Sequence, residues 1–175
     1  MKNFIAACLF LFPLSIMAQT STTAPSAETI LKEAYAKAAK EHKNVIVMFH
    51  ASWCIWCHRM DSSINDASCK KFFDDNYVIT HLTVDEMDGN KNLENSGANE
   101  FRTKNNGDNQ GIPYWLILDK NGNLLADSRY TDGNNIGCPA NPTEVDYFIT
   151  LLKKTSKLSD ADLAIIAKRF RQNSH

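Results

Sequence analysis

An unbroken apolar run, Val45-Ile46-Val47-Met48-Phe49, leads five residues later into Cys54-Ile55-Trp56-Cys57. Five apolar residues without polar alternation read as a strand covered on both faces, which requires a sheet with layers on either side. The cysteines stand one helical turn apart, so a helix beginning at Cys54 carries both on one face. At such a helix start, unpaired backbone N–H groups and the positive dipole end stabilise a thiolate at Cys54. Cys57, one turn deeper, is close enough to close a small disulfide ring. The segment therefore predicts a thiol–disulfide exchange site with Cys54 as exposed nucleophile and Cys57 as buried resolving thiol.

The N-terminus bears on where that site works. Lys2, the apolar run from Phe4 to Met17 and Ala18-Gln19 have the charge, length and small-residue ending of a secretory signal over residues 1–18. The run is too short for a comfortable membrane span. Cys8 lies inside its apolar core rather than at its end, which argues against lipidation there. Export to the periplasm or the exterior would bring Cys54, Cys57, Cys69 and Cys138 into an oxidising or enzymatically poised compartment. Residues 19–25 read as a flexible lead-in, and residues 26–175 as one domain with a C-terminal helical extension. A formal net charge of −1 gives no sign of a nucleic-acid surface.

Ser26 caps a first amphipathic helix through Ile30, Leu31, Ala34, Tyr35 and Ala38. The cysteine helix stacks Met60 on Ile64, and a short helix restarting at Asp66 or Ser68 puts Cys69, Phe72 and Phe73 on one face. A strand runs from Tyr77 to about Val84. The polar stretch Asp85–Gln110 has room for a helix over Leu93–Lys104. Asn121-Gly122 between Tyr114–Leu118 and Asn123–Ala126 signals a hairpin. Asn141-Pro142-Thr143-Glu144 opens a helix with Val145, Phe148, Ile149 and Leu152 on one face, and a last helix spans Asp160–Arg171. This order predicts an α/β fold, a mixed central sheet with helices on both faces.

Trp53-Cys54-Ile55-Trp56-Cys57 after a buried strand, Gly111-Ile112-Pro113 before a hairpin, and a covering helix together resemble the thioredoxin superfamily. Ser52-Trp53-Cys54, Trp56-Cys57-His58 and the long polar insert are similar to secreted bacterial thioredoxin-like proteins. The resemblance implies a thioredoxin-like fold and an exported disulfide reductase or isomerase. Its partners would be disulfide-containing exported proteins and an unidentified redox partner, with no cofactor, no nucleic acid and no membrane span once the signal is removed. It further implies that Pro113 is a cis-proline facing the disulfide and that the backbone of Ile112 pairs with a bound substrate strand. Trp53, Ile55 and Trp56 would form an apolar docking patch, Ile55 and Trp56 replacing the glycine and proline that thioredoxins commonly carry between the cysteines.

Two departures stand out. Thioredoxins usually bury an aspartate six residues before the first cysteine; Met48 occupies that position, which leaves deprotonation of Cys57 to water or another group. His50 stands in for a family aromatic with a structural role, while His58 is either a modulator of the pair or an ordinary helix residue. Cys69 reads as a buried inert thiol. Cys138, just before the covering helix, reads either as a third thiol on the rim of the pair or as an ordinary loop residue. Two other classes compete. Cys54-x-x-Cys57-His58 matches the pattern of c-type haem attachment, without the helical surroundings such proteins have. A non-catalytic binding or chaperone module would keep the fold and the apolar patch. A structural zinc site lacks a second ligand pair.

Overall fold

The computed structural model describes residues 24–130 and 132–174; the expected signal, residues 1–18, lies outside the described residues, as does most of the lead-in. Helix α1 (Ala27–Glu41) starts where the Ser26 hydroxyl accepts the Thr29 amide at 3.2 Å, and it turns Leu31, Ala34 and Ala38 inward. Strand β1 (Asn44–His50) follows. Helices α2 (Ile55–Ile64) and α3 (Lys70–Asn76) then lead to β2 (Tyr77–Thr83), which pairs parallel with β1. A 3-10 turn (Lys91–Leu93) and α4 (Ala98–Lys104) precede the hairpin of β3 (Tyr114–Leu118) and β4 (Leu124–Asp127). The chain closes with α5 (Pro142–Thr155), α6 (Asp160–Phe170) and a 3-10 turn (Arg171–Ser174).

The sheet runs β2-β1-β3-β4, with β3 antiparallel to both β1 and β4. Successive side chains of a strand point to opposite faces, and both faces of β1 and β3 are buried. Ile46, Met48, Trp115 and Ile117 face one side, where α2, α3, α5 and α6 contribute Met60, Phe73, Phe148 and Phe170. Val45, Val47, Phe49, Tyr114 and Leu116 face the other, covered by α1 and Ala98 of α4. The mixed α/β fold with helices on both faces is the one that the sequence predicts.

Local chemistry explains where elements differ from expectation. The helix expected over Leu93–Lys104 begins only at Ala98, because Gly97 takes a left-handed conformation at φ 83° and interrupts it. The hairpin does not close on Asn121-Gly122 as a two-residue loop. Asp119 instead accepts the amides of Asn121 and Asn123 at 2.8 and 2.9 Å, and Gly122 supplies the positive φ of 85°. Phe72 is half-buried, while Cys69 and Phe73 enter the core. At α5, Asn141 and Glu144 cap reciprocally, with Pro142 in the first turn, as the sequence implies.

Phe148 ties the layers together: its ring lies 5.0 Å from Phe170 and 5.4 Å from Trp115, centroid to centroid, and it is 1% exposed. Phe148→Ala is expected to cost about 3–5 kcal/mol in urea unfolding, the range for truncating a fully buried aromatic. A loss below about 1 kcal/mol would mean that α5 and α6 do not share one core with the sheet.

Candidate functional site

Where β1 leaves the sheet, the chain turns through Ala51-Ser52-Trp53, with the Cys54 amide donating to the Ala51 carbonyl at 3.0 Å. Cys54 is the N-cap of α2, and its Sγ accepts the Cys57 amide at 3.2 Å. The two cysteines form a disulfide with Cα atoms 5.3 Å apart. Cys54 is far less open than expected, at 3% exposure, because Ala51 and Ile112 pack on the pair; Cys57 is fully buried. Around them Trp53, Ile55 and Trp56 stand 47%, 63% and 43% exposed. The Trp53 indole donates to the Asp85 carbonyl at 2.9 Å, and the Arg59 guanidinium sits over the Trp56 ring, 4.6 Å from its centre, so both rings are held in place while remaining partly exposed.

The Ile112–Pro113 peptide is cis. Its loop is fastened by Asn135, whose amide donates to the carbonyls of Gly111 at 2.7 Å and Pro113 at 3.1 Å while its oxygen accepts the Gly137 amide at 3.0 Å. A groove of about 550 Å³ runs from Trp56 past Gly111, Ile112 and Pro113 to Asn134, Ile136 and Glu144. Behind the cysteine turn, the buried Glu86 accepts both the amide and the hydroxyl of Ser52, at 2.6 and 2.7 Å. Met48, at the expected acid position, is fully buried among apolar neighbours.

Over residues 26–120 the sequence matches the family described as thioredoxin-like. The chain belongs to that family. Among solved structures, the thioredoxin-like chain is similar to a disulphide isomerase from Xylella fastidiosa Temecula1, at 19% identity over 95% of this chain and 100% of that one, with a TM-score of 0.48. A thioredoxin from Thermus thermophilus matches at 16% identity, 75% and 87% coverage and a TM-score of 0.44. A thioredoxin-fold protein from Helicobacter pylori matches at 17%, 75% and 84%, with a TM-score of 0.41. No curated protein sequence matches significantly. A Cys-x-x-Cys disulfide on the thioredoxin-like fold makes this chain a thiol–disulfide oxidoreductase in the general sense.

The remaining sequence-predicted residues of the thioredoxin-like site fall into place unevenly. The His58 ring lies 3.0 Å from the Ser52 carbonyl, clipping the first turn of α2 to the loop before it. His50 packs edge-on to His81, with ring centres 4.9 Å apart, and bonds Thr83 Oγ1 at 3.2 Å. Burial, then the adjacent His81, pushes its pKa down, so His50 is neutral at pH 7. Among the described residues no group of three or more His, Cys, Asp or Glu is placed to hold a metal.

Cys138, read from the sequence either as a rim thiol or as an ordinary loop residue, is a buried side chain on a rim loop. Its loop borders the groove, but the side chain turns into the core, where Sγ accepts the Asn173 amide at 3.4 Å. Burial pushes the thiol up to about 12, so it is a neutral, unreactive group rather than an attacking thiolate. Asn173 also receives Ser63 Oγ at 3.0 Å on its side chain and Arg59 at 3.1 Å on its carbonyl, docking the C-terminal turn beside α2. Cys69 is buried, and burial raises its pKa as well. Sequence reasoning missed Glu86, Asn135, Asn173 and the exposed Met87. Only Glu86 had a signal, an acid two residues past a predicted strand end.

Iodoacetamide at pH 8 should modify Cys54 of the reduced native protein and leave Cys138 untouched until unfolding, as read by peptide mass spectrometry; equal labelling of Cys138 would contradict its burial. Asn135→Ala, which frees the Gly111 and Pro113 carbonyls, should lower kcat/KM for a disulfide substrate by about tenfold or more, a loss of the size expected when a positioning contact goes. An unchanged kcat/KM would show that the proline loop holds its shape without Asn135.

Proposed function

We propose that the chain is exported and reduces or isomerises disulfides in secreted or periplasmic proteins. The observation that carries this reading is Cys54 at the N-cap of α2, its sulfur accepting the Cys57 amide at 3.2 Å under an apolar rim. In the reduced pair the same amide and the helix dipole stabilise negative charge on Cys54 Sγ. That thiolate attacks one sulfur of a client disulfide, forming a mixed disulfide and releasing the other client sulfur as a thiolate, which takes up a proton. Cys57 gives up its proton and attacks Cys54 Sγ; the client's second thiol leaves, and the Cys54–Cys57 disulfide returns. Two electrons pass to the client, and a dithiol partner restores them. In isomerisation the released client thiolate instead attacks the mixed disulfide or another client disulfide, with no net transfer.

Client docking follows from the surroundings. Asn135 occupies the carbonyls on both sides of Ile112, whereas the N–H and C=O of Ile112 itself have no hydrogen-bond partner among the described residues. They suit the backbone of an extended client segment. Trp53, Ile55 and Trp56, with the exposed Met87 two residues beyond the Asp85 carbonyl that holds Trp53, supply an apolar surface that favours unfolded polypeptide over folded surfaces. Export is supported by the charge and apolar run at residues 1–18.

With Met48 in place of an acid, a binding module that turns over poorly is the competing reading, and turnover separates the two. Cys54→Ser should abolish reduction of a protein disulfide. Cys57→Ser should accumulate client mixed disulfides, visible on non-reducing gels, because the resolving thiol is gone. Normal turnover by Cys57→Ser, or none by the unaltered protein, would remove the enzymatic reading.

A further inference from the structure

A buried carboxylate without a cation stands behind the turn that delivers Cys54. Glu86 is 3% exposed, and both its oxygens accept hydrogen bonds from Ser52, two residues before the nucleophile. Neighbouring acids are compensated: Asp85 pairs with Arg102 at 2.6 Å, and Glu94 pairs with Lys91 at 2.9 Å. Glu94 also accepts the Glu86 amide at 2.8 Å, adding no positive charge. Among the described residues Glu86 has no ion-pair partner. His50 from β1 is neutral at pH 7, the His58 ring from α2 engages the Ser52 carbonyl, and Arg59 is held by Trp56 and Asn173.

Charge interactions reach further in a poorly solvated interior than in water. A fixed negative charge behind the turn therefore opposes charge on Cys54 Sγ, whereas the start of α2 favours it. A dithiol pair whose thiolate is stabilised becomes an oxidant; one whose thiolate is held back gives electrons more readily. Glu86 also ties the segment after β2 to the turn before α2, so the charge and the geometry act at one place.

We propose that Glu86 is the positioning residue for Cys54: it holds the Ala51–Trp53 turn in place, and its charge biases the Cys54–Cys57 pair toward reducing clients. This rests on the exchange reading of that pair and adds the direction of exchange.

Glu86→Gln tests the charge. A glutamine can still accept the Ser52 amide and can donate to its hydroxyl, so the tie survives; Glu86→Ala removes both. The reduced protein is alkylated with iodoacetamide across pH, with Cys54 followed by peptide mass spectrometry, and the pair is equilibrated with glutathione buffers. Glu86→Gln should lower the Cys54 midpoint by about one pH unit and move the glutathione equilibrium about tenfold toward the dithiol. Glu86→Ala should shift both in the same sense and slow exchange, because the turn also loosens. A merely structural role would lower Tm in these variants and leave the midpoint in place, which overturns the proposal, as does a midpoint that rises. Failure of the unaltered protein to exchange with glutathione would sink this inference together with the exchange reading. Exchange by the unaltered protein with an unmoved Glu86→Gln midpoint would sink the Glu86 role alone.

Discussion

Burial of β1 on both faces, with pairing along both edges, is the constraint from which the site follows. Its backbone groups are taken by β2 and β3, and its side chains by two apolar layers, so the strand has no freedom to slide or tilt. Where it ends, the chain must leave the sheet, and α2 begins within a few residues. The amides at the start of α2 are thereby aimed at a fixed point. Cys54 occupies that point, and its sulfur takes one of those amides. A cap on a mobile helix would offer the same chemistry at a much smaller effective concentration.

The loops around the pair are ordered by long-range polar ties. Turn and loop backbone leaves amides and carbonyls that need partners once partly buried. Ser52 finds Glu86 across 34 positions of sequence, Gly111 and Pro113 find Asn135, and the Cys138 loop finds Asn173. Each tie joins a loop at the cysteines to an element made elsewhere in the chain. The polar segment after β2 is thus a brace for the nucleophile rather than a spacer, with Arg102 and Asp85 extending it to α4.

Apolar exposure and proton handling complete the division of labour. Trp53 and Trp56 are anchored through a polar edge and a cation while both side chains remain exposed, which keeps a docking surface ordered. The buried space beside the sheet that an acid could occupy is filled by Met48, and the buried carboxylate near the cysteines comes from Glu86, on the turn side. The two positions differ in kind: Met48 belongs to the apolar layer under the sheet, whereas Glu86 acts through Ser52 on Cys54.

Periodicity and caps made much of the fold legible. The all-apolar β1, the helical spacing of Leu31, Ala34 and Ala38, and the Asn141–Glu144 box are local patterns whose physics operates within a few residues. The dithiol pair was legible for the same reason, since its spacing and its place after a strand lie in one short segment. Tertiary structure alone decided the rest. Cys138 turned inward because Asn173 and the core were there to receive it. Glu86 and Asn135 read as ordinary polar residues until the fold brings Ser52 and the proline loop to them. Local rules specify which residues can cap, pair or alternate; which distant donor meets which acceptor depends on the assembled sheet, because those partners share no segment of chain.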